Sequence, residues 1–463
     1  MSQLTFTDSP ADFPAPGAPV FLVGIGGIGM SALAQYLAAC GYQVAGSDRA
    51  LENPDNAPLY SKLRLQGIRL FPQDGSGMAA FHAAAAIVSA AVEPGNPDLA
   101  HWQGPLFHRA AVLSELCRRQ RAPFIGIAGS CGKTSTTAWI AAALRAAGFR
   151  IAMINGGYVL DFITADRPGN FCCDASPQFV VAEIDESDKS INCFSPDFGL
   201  VLNIGDDHYS REELAAVFNR FLQRCRKTAA APLSLRTTLP AASVYYDDTP
   251  QEYSCSRAGI AFRPAPAAPL IHSTQWGRCS AANGTAVFTL LKSVLSNYGT
   301  GDDAIAQAMG AYCGVQQRFE IVSPPGAAVT VINDYAHNPE KIAAAIVAAR
   351  ERYNEPLTAI FQPHGFGPLG FMRDALAARL KEVMRPGDEL LLLPVYYAGG
   401  TASFSPTSAE VAAQYAHCGL NVRAVADRME AAAYLRTQPC RLWLVLGARD
   451  PSLRTWAIRL ASA

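Results

Sequence analysis

Nothing in this chain is apolar for long enough to span a bilayer, so the sequence predicts no membrane partner. Charge of one sign is also missing. Lysine and arginine balance aspartate and glutamate to a net −1, which leaves no basic footprint for nucleic acid. Charged residues make up only 17% of the chain against 50% hydrophobic, too apolar a balance for a disordered chain. The twelve cysteines include no C-x-x-C pair, although Cys172 and Cys173 are adjacent. They read as reduced side chains of an intracellular core and not as a disulfide framework. Met1 to Pro19 lacks the basic and apolar regions of a secretory signal. These absences point to a cytoplasmic enzyme, and 463 residues suggest about three domains.

What the chain does have is two glycine loops. In the first block, 1–118, the apolar run Val20 to Val23 predicts a strand. It leads into Gly24-Ile25-Gly26-Gly27-Ile28-Gly29, a helical stretch from Met30 to Ala39, and a second strand, Gln43 to Gly46, that ends at Asp48. G-x-G-x-x-G between strand and helix, with an acid about 20 residues on, suits a dinucleotide or pyrophosphate. The competing reading is a glycine turn that merely lets the helix pack on the strand. In the second block, 119–315, Pro123 to Ala128 runs into Gly129-Ser130-Cys131-Gly132-Lys133-Thr134, and Thr136 to Ala147 reads as an Ala-rich helix. This is the strand–loop–helix setting of a phosphate-binding loop, in a shortened G-x-x-G-K-T form with Ile127 where the first glycine usually stands. Backbone N–H groups would cradle phosphate oxygens, Lys133 would meet the terminal phosphates, and Thr134 would hold Mg2+.

Three polar turns follow apolar strands. Glu183-Ile184-Asp185-Glu186-Ser187-Asp188 comes after Phe179 to Ala182 and places four carboxylates in six residues, an arrangement that calls for a cation. Glu183, first off the strand, is the expected ligand. Asn203-Ile204-Gly205-Asp206-Asp207-His208 comes after Phe198 to Leu202, and His208 reads as a ligand of a second metal, as a neighbour of the γ-phosphate, or as a structural histidine. Helical patterns follow at Arg211 to Arg226 and Asn283 to Ser296, while Thr228 to Pro269 reads as irregular strands and loops. In the third block, 316–463, strands and helices alternate at Val329 to Ile332, Ile342 to Arg350, Leu357 to Phe361, Arg373 to Val383, Glu389 to Pro394 and Leu442 to Leu446. That alternation predicts another open α/β sheet. Asp334-Tyr335-Ala336-His337-Asn338-Pro339 follows its first strand, where open sheets place ligands.

Taken in order, these motifs resemble the Mur ligases, the ATP-dependent amino-acid ligases of peptidoglycan precursor synthesis. The matching pieces are GIGGIGMSALAQYLAACGYQVAGSD at 24–48, VSAAVEPGNPDL at 88–99, GSCGKTSTT at 129–137, EIDESDKS at 183–190, NIGDDH at 203–208, GVQQRFE at 314–320, NDYAHNPEKI at 333–342 and FQPH at 361–364. The resemblance covers all three blocks. It implies three α/β domains: a Rossmann-like one for a UDP-sugar, a central P-loop ATPase-type parallel sheet for ATP, and a Rossmann-like C-terminal one for an amino acid. It implies amide formation between the lactyl carboxylate of UDP-N-acetylmuramate and an amino acid, L-alanine first, through an acyl phosphate. Gly24, Gly26, Gly27, Ile28, Gly29, Asp48 and Ser89 would hold the UDP-sugar. ATP would lie on Gly129, Ser130, Cys131, Gly132, Lys133, Thr134 and Ser135, with Asn283, Arg318 and Asp334. Thr134, Glu183 and His208 would bind Mg2+. Tyr335, His337, His364 and Arg373 would face the amino acid or the reacting centre. The chain would act as a monomer or weak homodimer.

The sequence departs from the family pattern at three places. Cys279-Ser280 replaces a His-Asn pair in the adenine-contacting segment, and Ser280 offers fewer hydrogen bonds than an amide. Gly365 follows His364 where an arginine is usual, which leaves Arg373 as the substitute. Cys131 sits inside the phosphate loop, at a helix N-terminus beside Lys133, a setting that lowers thiol pKa values. Two other readings stand beside the ligase. A dehydrogenase using Gly24 to Gly29 for NAD leaves the phosphate loop unexplained. A ligase-like protein with a changed amino-acid or peptide substrate, or with lost catalysis, would account for Cys279, Ser280 and Gly365.

Overall fold

A computed structural model describes residues 5–7, 9–93, 95–187, 190–205, 210–397 and 403–462. Three parallel-rich sheets follow one another along the chain, one in each expected block. The first holds β1 (Pro19–Val23), β2 (Gln43–Asp48), β3 (Arg69–Pro72), β4 (Ala85–Val88) and β5 (Leu106–His108). Its order is β3-β2-β1-β4-β5 with every pair parallel. Residues Val20 to Val23 and all of β4 are buried, as strands covered on both faces must be. Strand order reverses between β1 and β4. The glycine loop leaves the carboxyl end of β1 and Ser89 that of β4, so both lie at the crevice where doubly wound sheets bind ligands.

The second sheet holds β6 (Phe124–Ala128), β7 (Ile151–Ile154), β8 (Phe171–Cys173), β9 (Phe179–Glu183), β10 (Phe198–Val201), β11 (Thr228–Pro232) and β12 (Val244–Tyr246). Its order is β12-β11-β10-β6-β9-β7-β8, parallel throughout except that β8 runs against β7. β11 and β12 lie in the stretch expected to be irregular. Ala229 to Ala231 have little intrinsic strand preference, but they are buried and paired with β10, so tertiary context decides. The rest of that stretch supplies β13 (Glu252–Ser256) and β14 (Gly259–Arg263), which join β15 (Ile271–Ser273) in a small sheet of order β13-β14-β15. The helix after β6 spans Lys133–Ala146, starting three residues earlier than the sequence suggests.

The third sheet holds β16 (Glu320–Ile321), β17 (Thr330–Asp334), β18 (Leu357–Gln362), β19 (Glu389–Leu392), β20 (Val422–Ala424) and β21 (Leu442–Gly447), in the order β16-β17-β21-β18-β19-β20. Only β16 is antiparallel to its neighbour. Helices Ser408–His417, Arg428–Thr437 and Ser452–Ala461, absent from the sequence reading, complete its covering layers.

By contact the chain divides into two compact units. One comprises Met1–Tyr253, Ala261–Thr274 and Ala281–Val315; the other comprises Ser254–Ile260, Gln275–Ser280 and Gln316–Ala463. The first unit therefore contains both glycine loops, and buried amides tie its two large sheets together. The side-chain oxygen of Asn170, just before β8, accepts from Gln35 Nε2 at 2.9 Å. Its Nδ2 donates to Ile28 O at 2.8 Å and Ser31 Oγ at 2.9 Å, in the first turn of the helix Ile28–Ala39. Lys62 adds bonds to the carbonyls of Thr164 and Arg167. No helix among the described residues is long and apolar enough to cross a membrane.

Candidate active site

In the first unit the chemistry gathers at the carboxyl ends of β6, β9 and β10. Gly132 caps the helix Lys133–Ala146 without a side-chain bond, which leaves the first-turn N–H groups for an anion. Its φ of +84° favours glycine, and a Cβ there would come within 2.9 Å of Asn283 Oδ1. Asn283 thus lies directly against the loop. Lys133 Nζ donates to Gly129 O at 2.6 Å and pairs with Glu186 at 2.8 Å. Both partners are nearly buried, with side-chain exposures of 14% and 8%, so each charge depends on the other. Burial pulls the ammonium down, but Glu186, Glu183 and Asp185 outweigh it and raise its pKa. Glu186 ends above the usual carboxylate range because burial outweighs the help it gets from Lys133.

Glu183, the last residue of β9, lies beside Ile127 in register. It accepts from Thr134 Oγ1 at 3.2 Å and from Gly156 N at 2.8 Å. A hydroxyl in the first turn of the helix Lys133–Ala146 and a carboxylate at the end of β9, this close together, are hard oxygen donors and fit a Mg2+ ion. Asp185 accepts from Ser187 N and lies 3.6 Å from the Arg109 guanidinium. Burial acts against its charge, but Ser187, Lys133 and Arg109 together keep its pKa low. Asp188, Asp206, Asp207 and His208 lie outside the described residues. No cluster of three or more acidic, histidine or cysteine side chains suited to a metal occurs among those described.

Asn203, quoted in the sequence motif but given no role there, clamps the loop from β10. Its Oδ1 accepts from Cys131 N at 2.8 Å, its Nδ2 donates to Cys131 O at 3.0 Å, and its carbonyl accepts from Ser130 N. Ser130 Oγ in turn accepts from Gly205 N at 2.8 Å. The Cys131 side chain is exposed.

At the first glycine loop, Asp48 is mostly buried and holds the turn from within. Its carboxylate accepts from Gly26 N at 2.7 Å and from Ala50 N at 2.8 Å. Gly27 caps the helix Ile28–Ala39 with no side-chain bond, again leaving open N–H groups. Arg109, the first residue of the helix after β5, lies over Gly29 and brings this loop alongside the acidic turn.

In the second unit the polar groups collect at the carboxyl ends of β17, β21 and β18. Asp334 uses both oxygens on backbone, accepting from Phe319 N at 2.6 Å and Ala336 N at 2.7 Å. It thereby fixes the segment around Arg318, whose guanidinium lies 4.7 Å from the Tyr335 ring centroid. Burial, the dominant influence, raises the Asp334 pKa in spite of Arg318. His337 Nδ1 meets Tyr335 O at 2.8 Å, and its ring stands edge-on to His364 at 5.2 Å. Burial, then His337 and Arg449, push His364 down to about 4, so it is a neutral imidazole at pH 7. Asn338 caps the helix Pro339–Tyr353 through Lys341 N. Among the described residues no contact gathers Arg373 into this group: it pairs with Asp374 at 3.0 Å, and its carbonyl accepts from Tyr415 Oη. Cys279 and Ser280 fall in the first turn of the helix Gly277–Leu295. Arg449 was missed by the sequence reading and becomes visible only when β21 is placed between β17 and β18.

Comparison with known proteins agrees with this layout. Residues 19–121 match the model for the Mur ligase family, catalytic domain, and residues 317–449 that for the Mur ligase, glutamate ligase domain. The chain is 31% identical over 455 residues to the UDP-N-acetylmuramate–L-alanine ligase of Acidithiobacillus ferrooxidans, covering 90% of this chain and 92% of that one. A crystal structure of UDP-N-acetylmuramate–alanine ligase from Thermotoga maritima superposes with a TM-score of 0.79 at 24% identity, over 96% of this chain and 99% of that one. Folylpolyglutamate synthase of Mycobacterium tuberculosis, complexed with ADP and AMPPCP, shares the fold at a TM-score of 0.56 and 15% identity, over 76% of this chain and 95% of that one.

Proposed function

The chain belongs to the Mur ligase family, and from that premise we propose that it joins L-alanine to UDP-N-acetylmuramate at the expense of ATP. Ligase chemistry and ATP use come with the family. The observation that carries the reading is the meeting of Lys133 and Thr134, in the first turn of the helix after β6, with Glu183 at the end of β9 and Glu186 just beyond it. In this proposal the functional modules are 1–118 for the UDP-sugar, 119–315 for ATP and 316–463 for the amino acid.

The γ-phosphoryl group passes to the lactyl carboxylate and ADP leaves. The alanine amine then attacks the acyl carbon, and phosphate leaves as the amide forms. Lys133 and the open N–H groups of its helix bind and orient the phosphates. Thr134 and Glu183, with His208, would hold Mg2+, which supplies neutralisation of the transferring charge. Gly24 to Gly29 and Ser89 bind the pyrophosphate and sugar, with Asp48 keeping the turn in shape. Asn283, Arg318 and Asp334 serve the nucleotide side, while Tyr335 and His337 serve the amino acid. His364, neutral at pH 7, takes a proton from the attacking amine.

The test is phosphate release with UDP-N-acetylmuramate, ATP and Mg2+, each amino acid being added in turn. The expected result is release that depends on both the sugar and L-alanine. Release without any amino acid, or dependence on a peptide alone, would refute the assignment.

A further inference from the structure

β17, β21 and β18 lie side by side, with Asp334 level with Leu446 and Gln362 level with Gly447. Arg449 comes two residues after Gly447, and His364 two residues after Gln362. Both residues therefore lie two positions past the carboxyl ends of adjacent strands, close enough for the Arg449 charge to act on His364. The turn after β17 brings His337 against His364 from the other side.

Three features of this cluster call for a ligand. First, Arg449 holds its backbone at φ +69°, a left-handed conformation that glycine adopts freely and a long side chain does not. Strain kept at such an edge is a pointer to function. Second, Arg449 is exposed and has no hydrogen bond or ion pair among the described residues, so its guanidinium is open to a ligand arriving from solvent, whereas its neighbours are paired within the protein. Arg428 is bonded to Gln362, Asp450 and Ser452, and Arg454 to Glu320. Third, His364 Nδ1 is buried without a partner. The turn after His364 carries no cation of its own, since it reads Gly365-Phe366-Gly367-Pro368, and the next arginine, Arg373, lies further along the helix Phe366–Val383 in a surface pair with Asp374. The neutral state of His364 leaves the guanidinium as the permanent charge of this pair.

We propose that Arg449 binds the α-carboxylate of the incoming amino acid beside His364. A guanidinium suits this task because its planar fork matches a carboxylate with two parallel hydrogen bonds. The inference rests on the ligase reading above and assigns one residue of its amino-acid site. A second anion of that reaction, a phosphate oxygen, shares the chemistry, so the test separates the two.

The variants are Arg449→Gly and Arg449→Lys, compared with the unaltered protein. Phosphate release is followed while L-alanine, L-alaninamide and ATP are varied separately. The unaltered protein should prefer L-alanine to its amide, which lacks the carboxylate. Arg449→Gly should raise KM for L-alanine at least ~10-fold, the loss expected for a charge-assisted contact, and abolish the preference over the amide. KM for ATP should stay within about twofold, and Arg449→Lys should recover part of the lost affinity. The melting temperature of Arg449→Gly should hold or rise, because glycine relaxes the left-handed backbone. An unchanged KM for L-alanine, or a rise confined to ATP, overturns the assignment. A fall in melting temperature with equal loss toward every substrate overturns it as well. If the unaltered protein shows no amino-acid-dependent release at all, the ligase reading fails first and the inference falls with it.

Discussion

At the phosphate loop of the first unit the chain answers its own charges. Lys133 is met by Glu186, Glu183 by Thr134 and Gly156, and the turn itself by Asn203. At the carboxyl edge of the third sheet most charges are answered too, but two groups stand apart. Arg449 and the buried nitrogen of His364 have no partner among the described residues. A phosphate loop must keep a buried ammonium and a tight turn in place against the cost of desolvation, so internal compensation is built in. On the proposal made above this edge recognises a small zwitterion, and such an edge gains more by holding its donor in reserve, because groups already paired would have to be broken apart first.

The contrast can be broken most sharply at Lys133. Lys133→Ala should cut turnover by roughly 1000-fold or more, as loss of a key charge stabiliser does. It should leave UDP-sugar binding intact, which calorimetric titration with UDP-N-acetylmuramate would measure. Equal loss of both would mean that the two glycine loops do not act separately. Asn203→Ala should act more mildly. It removes the two bonds to Cys131 and should cost about 1–3 kcal/mol of loop order, read as a rise in KM for ATP with little change in KM for L-alanine. The smallest effect concerns protons. The folded protein holds His364 at about 4, below the roughly 6.5 of a free imidazole. The unfolded chain therefore takes up this proton first. The contribution of His364 to stability is complete above about pH 6.5 and is lost as the pH falls toward 4. His364→Gln should flatten that acid slope in denaturant melts, whereas Lys133, whose pKa is raised, should contribute nothing to it.

Much of the fold was legible because parallel strands buried on both faces leave continuous apolar runs, as at Val20 to Val23 and Phe179 to Ala182. β11 was not, since an alanine run carries no pattern that separates strand from loop until β10 lies beside it. The helix Ser408–His417 had a readable signal, the reciprocal cap between Thr407 and Glu410, that the sequence reading passed over. The site divides in the same way. Lys133, Thr134 and Glu183 announce themselves through local spacing. Arg449 does not, because its significance depends on sheet order, and β21 enters the sheet between strands that precede it in the chain. Arg373 is near His364 in sequence, but the contact the structure gives it is a surface pair with its neighbour Asp374.

Asn170 deserves one more thought, as a matter of dimensions. A single carboxamide, sealed from water, fastens the start of one helix to the edge of the neighbouring sheet. It works like the pin in a pair of calipers, setting the gap between two jaws, each a glycine loop that opens a helix with no side-chain cap bond. Replace it with alanine and each jaw still has its own teeth, but the measure between them is no longer kept. On the ligase reading proposed above, a protein so altered would hold both halves of its task and miss the handover.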